Sequence, residues 1–286
     1  MEVKKSYEEE KLNHLKEVLL EILKDYIQIC DKYHLTYFAT GGTAIGALRH
    51  QGFIPWDDDI DVCMLREDYD KFMEVAPKEM GDKYVFMDAH TEPSYPLMFG
   101  KMMKKGTKFV EQANQKANYP QGIFIDIFPY DQTPEDETLR KKWQAKTWKI
   151  GRKHVLTLTG EPMLPSGMNP ALKAVARVAC AVVHGIFKLV HYTPDKTYAE
   201  YLKWARSCPE PESDLYIDYS YITGENLMIR TKEAFPTVDV PFCDTTVKLP
   251  KNYDSFLRPE YGDYMQLPPE EARHNHLASF IDFGEE

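Results

Sequence analysis

Gly52-Phe53-Ile54-Pro55-Trp56-Asp57-Asp58-Asp59-Ile60-Asp61-Val62 places four carboxylates within five residues, inside otherwise apolar sequence and behind Gly41-Gly42-Thr43. A solvated acidic loop would not carry Phe53, Ile54, Trp56, Ile60 and Val62. A calcium loop counted from Asp57 would need Gly at its sixth position and Glu at its twelfth, where the chain has Val62 and Asp68. The alternation Asp59-Ile60-Asp61-Val62 predicts a strand, because residues two apart share a face. Asp59 and Asp61 then stand side by side while Ile60 and Val62 enter the core. Two such carboxylates repel unless a cation lies between them. Hard oxygen ligands suit Mg²⁺, with Mn²⁺ as a substitute, and Mg²⁺ commonly bridges protein carboxylates to substrate phosphates.

Working outward, Asp126 is the next ionisable group in an apolar setting, between Phe124-Ile125 and Ile127-Phe128. A carboxylate there is costly to bury unpaired. It is expected either to cap a nearby helix or to complete the metal site from a second strand, where it could also accept a proton from an attacking hydroxyl. Gly41, Gly42 and Thr43 offer a turn open to backbone approach, a hydroxyl and a following helix N-terminus, which suits a phosphate. Arg49 and Lys101 are candidates to neutralise phosphate oxygens. In Arg273-His274-Asn275-His276, phosphate contact by Arg273 or His276 is favoured over metal ligation.

Periodicity predicts a helix over Glu8–Tyr33 and a short strand at Leu35–Ala39. A helix over Thr43–His50, another around Glu67–Val75 and strands at Tyr84–Ala89 and Lys101–Met103 follow, with Gly106 marking a hairpin. Gly122–Pro129 reads as a buried strand closed by its proline. Leu139–His154 and Ala171–Val190 read as helices, separated by a Pro/Gly-rich loop. The rest mixes short strands with turns. Strands and helices at these spacings give an α+β fold with helical additions.

The net charge of -10 argues against general nucleic-acid binding. Yet residues 139–191 hold ten Lys or Arg and one acid, Glu161, so one surface is expected to meet something anionic. On the helix from Ala171, the spacing of Lys173, Arg177, His184, Lys188 and His191 predicts one basic stripe. The helix is expected either to pack on the core with that face wet or to lie in an anionic membrane interface. Its longest clean apolar stretch, Val178–Val183, is too short for a ready bilayer span. Five scattered cysteines without a Cys-x-x-Cys pair indicate neither a zinc site nor a disulfide framework, and the charged N-terminus lacks a signal-peptide core. A cytoplasmic protein is expected. Tyr216, Tyr219, Tyr221, Tyr261 and Tyr264 could form a cage for a quaternary ammonium, although ordinary packing explains them equally well.

The run from Gly41 to Val62, together with Phe124-Ile125-Asp126-Ile127-Phe128-Pro129, Leu249-Pro250-Lys251-Asn252-Tyr253-Asp254, Tyr261-Gly262-Asp263-Tyr264-Met265 and Pro268-Pro269, resembles the LicD family. These are phosphotransferases of the nucleotidyltransferase-like superfamily, related to fukutin and fukutin-related protein. The resemblance runs from about residue 30 to 276 and is loose across the basic middle section. It implies a nucleotidyltransferase-like mixed β-sheet core with flanking helices and a helical insertion. The expected division is an N-terminal helix packed on the core (1–34), the catalytic core (35–138), a basic helical insertion that could face a membrane (139–206) and an α+β part completing the site (207–286). The implied activity is transfer of phosphocholine, or a similar phospho-alcohol, from a CDP-linked donor such as CDP-choline. The acceptor is a hydroxyl of a cell-surface glycan, a lipopolysaccharide or teichoic acid precursor carried on lipid, and CMP is released. Work at the inner face of the cell membrane follows from such an acceptor. By the resemblance, Asp59, Asp61 and Asp126 match the metal ligands, and Gly41, Gly42 and Thr43 the nucleotide-side turn. The competing readings are a nucleotidyltransferase moving NMP to a small acceptor and a non-catalytic nucleotide-binding module.

Overall fold

The computed structural model describes residues 7–162, 164, 167–220 and 224–284. Helix α1 (Glu9–Tyr33) buries Leu15, Leu19, Ile22, Leu23, Tyr26 and Ile29 at three- and four-residue steps. It is followed by β1 (Tyr37–Ala39), α2 (Gly41–His50), β2 (Asp61–Leu65) and α3 (Arg66–Met80). Next come β3 (Tyr84–Met87), β4 (Gly100–Lys104), β5 (Lys108–Glu111) and β6 (Phe124–Gln132). Three helices, α4 (Glu137–Leu158), α5 (Pro170–Leu189) and α6 (Pro194–Ala205), lead to β7 (Leu215–Asp218), β8 (Ile229–Arg230) and α7 (Thr231–Ala234). The chain ends in β9 (Val238–Phe242), β10 (Thr245–Leu249), α8 (Tyr253–Tyr261) and β11 (Ala278–Asp282).

The main sheet is mixed, in the order β1-β2-β6-β4-β3, with β7 also pairing along β6 and β8 pairing with β7. Helices pack against it, so the fold is α+β. Among the described residues, β2 and β6 pair in parallel and the neighbouring pairs are antiparallel. The central strand β6 is buried along most of its length because neighbours and helices cover it, and its first half is apolar except for Asp126. Pro129 does not close this strand, contrary to expectation. The Asp126 N–H donates to Ile60 O, so by alternation residue 129 turns to the opposite edge. There β4 has ended at Gly100↔Ile127 and β7 begins at Tyr130↔Asp218, and the missing N–H falls in the gap.

Three further expectations are corrected. Gly106 (φ +80°) turns the chain after β4, but β5 pairs with β11 and forms no hairpin with β4. The acidic run is mostly coil, and β2 starts only at Asp61, although Ile60 and Val62 are fully buried as predicted. Gly41 and Gly42 lie inside the first turn of α2 rather than before it.

Helix α5 departs most from ordinary burial. None of its residues is buried. Leu172, Val175 (65% exposed), Val178, Val182, Ile186 and Leu189 (79% exposed) recur at three- and four-residue steps on the side facing away from the protein. Its inner side meets α4 and the turn after it: His184 Nδ1 lies 2.8 Å from Leu156 O, and an added Cβ at Gly160, just beyond α4, would stand 3.1 Å from Ala181. By length and composition alone this helix could cross a membrane, against the expectation from its charges, and it is the one such helix among the described residues.

Candidate active site

Register builds the site. Asp61 on β2 pairs with Asp126 on β6, and Asp126 pairs with Lys101 on β4. Strands run roughly 4.8 Å apart, so these three side chains form a row across the sheet. Asp57, Asp58, Asp59, Asp61 and Asp126 line one cavity of about 470 Å³, with Gly41, Gly42, Glu111, Tyr261 and His276 on its walls and Leu15, Leu19, Ile123 and Phe124 among its apolar lining.

The glycines make room for carboxylates. Gly41 has φ +55°, and a Cβ there would approach Asp61 Oδ2 to 3.2 Å. A Cβ at Gly42 would lie 2.2 Å from Asp57 Oδ2. The Thr43 hydroxyl is buried and accepts the Asp61 N–H at 2.9 Å, so it orients the first residue of β2 from beneath. The Lys101 ammonium is also buried (4% exposed), 2.9 Å from Asp126 Oδ1 and over the Phe124 ring. It neutralises one acid of the row instead of standing free.

Arg49 and Arg273 do not line the cavity. Arg49 donates to Tyr264 O (2.7 Å) and Gln266 O (3.1 Å), tying α2 to the C-terminal segment. Arg273 donates to Pro268 O and covers the Trp56 ring. His276 does reach the site. Its N–H donates to Asp58 Oδ1 at 3.0 Å, and its ring Nδ1 lies 3.2 Å from that oxygen and 3.3 Å from Asp59 Oδ2. The neighbouring Asn275 amide donates to Trp56 O at 2.6 Å, so the segment after residue 270 clamps the acidic run.

Burial, followed by the neighbouring carboxylates, pushes Asp57 up to about 6 and Asp59 up to about 7 from an ordinary 3.8, and holds Asp61 well above the ordinary carboxylate range. Burial raises Asp126 to about 6 even though Lys101 opposes it. The hydrogen bond to Asp58 raises His276 to about 9, leaving it cationic at neutral pH. Asp57 Oδ2 and Asp58 Oδ2 are buried with no hydrogen-bond partner among the described residues. Orphaned oxygens, an all-carboxylate donor set and mutual repulsion fit a hard divalent cation. Asp58, Asp59 and the His276 ring nitrogen lie within 4.8 Å of one another, and the cationic ring stands there as a counter-charge to the two carboxylates.

Sequence reasoning passed over Asp57, Asp58 and Glu111. The first two were legible in the run itself, but their roles depend on contacts from α2 and residue 276. Of the tyrosines, Tyr261 borders the cavity, Tyr219 is buried and donates to Thr133, and Tyr264 donates to Asp254. Tyr221 lies outside the described residues.

Residues 34–163 match the family model described as LicD/FKTN/FKRP, nucleotidyltransferase domain. The chain is 30% identical over 262 residues to the lipopolysaccharide cholinephosphotransferase LicD of Haemophilus influenzae, covering 91% of this chain and 93% of that one. The chain belongs to the LicD family. Two uncharacterised proteins, from Rickettsia typhi and Rickettsia prowazekii, match shorter stretches at 38% over 65 residues and 37% over 60. These stretches cover 22% and 21% of this LicD-family chain, and 21% and 23% of the two relatives.

Proposed function

We propose that this LicD-family protein transfers phosphocholine from a CDP-linked donor to a hydroxyl of a cell-surface glycan precursor, releasing CMP. Full-length similarity to a relative named for cholinephosphate transfer supports the chemistry. The single observation that carries the site is the in-register pair Asp61↔Asp126 facing one acidic cavity. Asp59, Asp61 and Asp126 would hold a divalent cation, with Mg²⁺ favoured and Mn²⁺ possible. When bound, that cation neutralises pyrophosphate oxygens and the charge developing on CMP.

The chain's own groups supply the rest. His276, cationic at neutral pH, and the α2 N-terminus at Gly41 and Gly42 present positive potential toward donor phosphates. The acceptor hydroxyl attacks the distal phosphorus as the bond to CMP breaks, and CMP leaves with the electron pair. The hydroxyl proton passes to a cluster carboxylate. Asp126 is assigned this role, and the loose character of phosphoryl transfer demands little of it.

The acceptor is carried on lipid, and α5 lays its apolar side on the inner face of the cell membrane. Support comes from the outward apolar side of that helix and the basic excess over residues 139–191. The deciding experiment incubates the protein with CDP-choline, Mg²⁺ and lipid-linked glycan. CMP release with phosphocholine incorporation is expected; pyrophosphate release from a nucleoside triphosphate instead would assign the nucleotidyl-transfer reading.

A further inference from the structure

A second cavity, of about 230 Å³, adjoins the acidic one and shares Gly41, Asp61 and Tyr261 with it. Its other walls are Thr40, Cys63, Phe128, Tyr130, Asp218, Leu227 and Glu260, so among the described residues three aromatic rings and three carboxylates line it and no Lys, Arg or His does. The volume is below the ~300–1,000 Å³ typical of sites for drug-sized ligands, so the space suits a small head group better than a nucleoside.

Three of the polar side chains here are already engaged, while the Thr40 hydroxyl is buried with no hydrogen-bond partner among the described residues. The two carboxylate oxygens of Asp218 accept the Ser220 N–H (2.8 Å) and hydroxyl (2.7 Å). Glu260 Oε2 accepts the Asn226 amide at 2.7 Å, and the Tyr130 hydroxyl donates to Leu227 O at 2.8 Å. The cavity therefore offers negative field and ring surface, and its two outer carboxylates, Asp218 and Glu260, already accept from neighbouring side chains. A primary ammonium brings three N–H donors that need acceptors, whereas a trimethylammonium brings none and binds to rings and diffuse negative charge.

We propose that this cavity seats the quaternary ammonium of the donor's alcohol, with Phe128, Tyr130 and Tyr261 as its rings and Asp218 and Glu260 as its counter-charges. The assignment rests on the phosphocholine-transfer reading for its biological substrate and adds the selectivity of choline over ethanolamine. Tyr261, shared by both cavities, would then mark the junction between head group and phosphate.

Two measurements test it. Steady-state transfer gives the ratio of kcat/KM for CDP-choline over CDP-ethanolamine in wild type, Glu260→Gln and Tyr261→Leu, both at exposed positions. Loss of one ring or one charge should lower that ratio about tenfold, as expected for roughly 1–2 kcal/mol of cation–π or ionic binding. Binding of free phosphocholine, followed by NMR line broadening of its methyl protons, should weaken in the same variants. An unchanged ratio together with unchanged phosphocholine binding overturns the proposal. If wild type transfers from no CDP-alcohol, the functional reading fails. In that case, variant-sensitive phosphocholine binding still upholds the subsite, and its absence sinks that too.

Discussion

Asp61 is held from three sides: its N–H by Thr43, its carboxylate against Gly41, and its flank by Asp126 in register. Such positioning concentrates like charge where desolvation already penalises it. Asp61→Asn should abolish transfer, a loss of at least about 10²-fold for one electrostatic group at a reacting centre. The same substitution removes repulsion, so the metal-free variant should melt higher than wild type, by about 2–4 °C per kcal/mol gained. A lower melting point with full turnover would refute the site. The pH dependence has a definite sign. Asp57, Asp59 and Asp126 titrate near 6, 7 and 6 when folded, above the ordinary 3.8, so between about pH 4 and 7 the folded state binds more protons than the unfolded one. Stability then falls as pH rises through that window. His276 acts in the same direction: its contribution, complete below its ordinary 6.5, is lost as pH passes about 9. Calorimetry without metal should give a higher melting temperature at pH 5.5 than at pH 8, and added Mg²⁺ should raise it more at pH 8, where the carboxylates are ionised.

Among the elements, α1 and the burial of Ile60 and Val62 were readable because apolar periodicity reports which side faces the core. The start of β2 was not, since Asp57–Ile60 is fixed by clamps from residues 275 and 276 that no local window contains. Pro129 misled for a similar reason: its tolerance depends on where two other strands stop and begin. Lys101 read as a free cation because its partner lies on β6. Gly46, on α2, would place a Cβ 2.4 Å from Gly52 O, a backbone atom with little freedom to retreat. Gly46→Ala should therefore cost about 1–3 kcal/mol, measurable as a lower urea midpoint. For α5, sequence supplied the charge stripe, while the direction of its apolar side emerged only from packing on α4. Val182→Glu with Ile186→Glu should release the protein from anionic vesicles in flotation assays while its circular dichroism spectrum stays unchanged.

On the scale of the molecule, the C-terminal segment assembles the site. Asn275 joins Trp56 O to the Tyr7 N–H, His276 holds Asp58, and β11 pairs with β5. Asn275→Ala leaves the Trp56 carbonyl without this donor and should cost about 1–3 kcal/mol, with weaker Mg²⁺ uptake in titration calorimetry. The Asp58–His276 contact spans 218 residues. During synthesis, at about 5–20 residues per second, the acidic run leaves the ribosome more than ten seconds before its clamp exists. A nascent chain can thus hold its first strands and still lack a working centre, so chemistry switches on only after the segment carrying Asn275 and His276 has emerged and folded back.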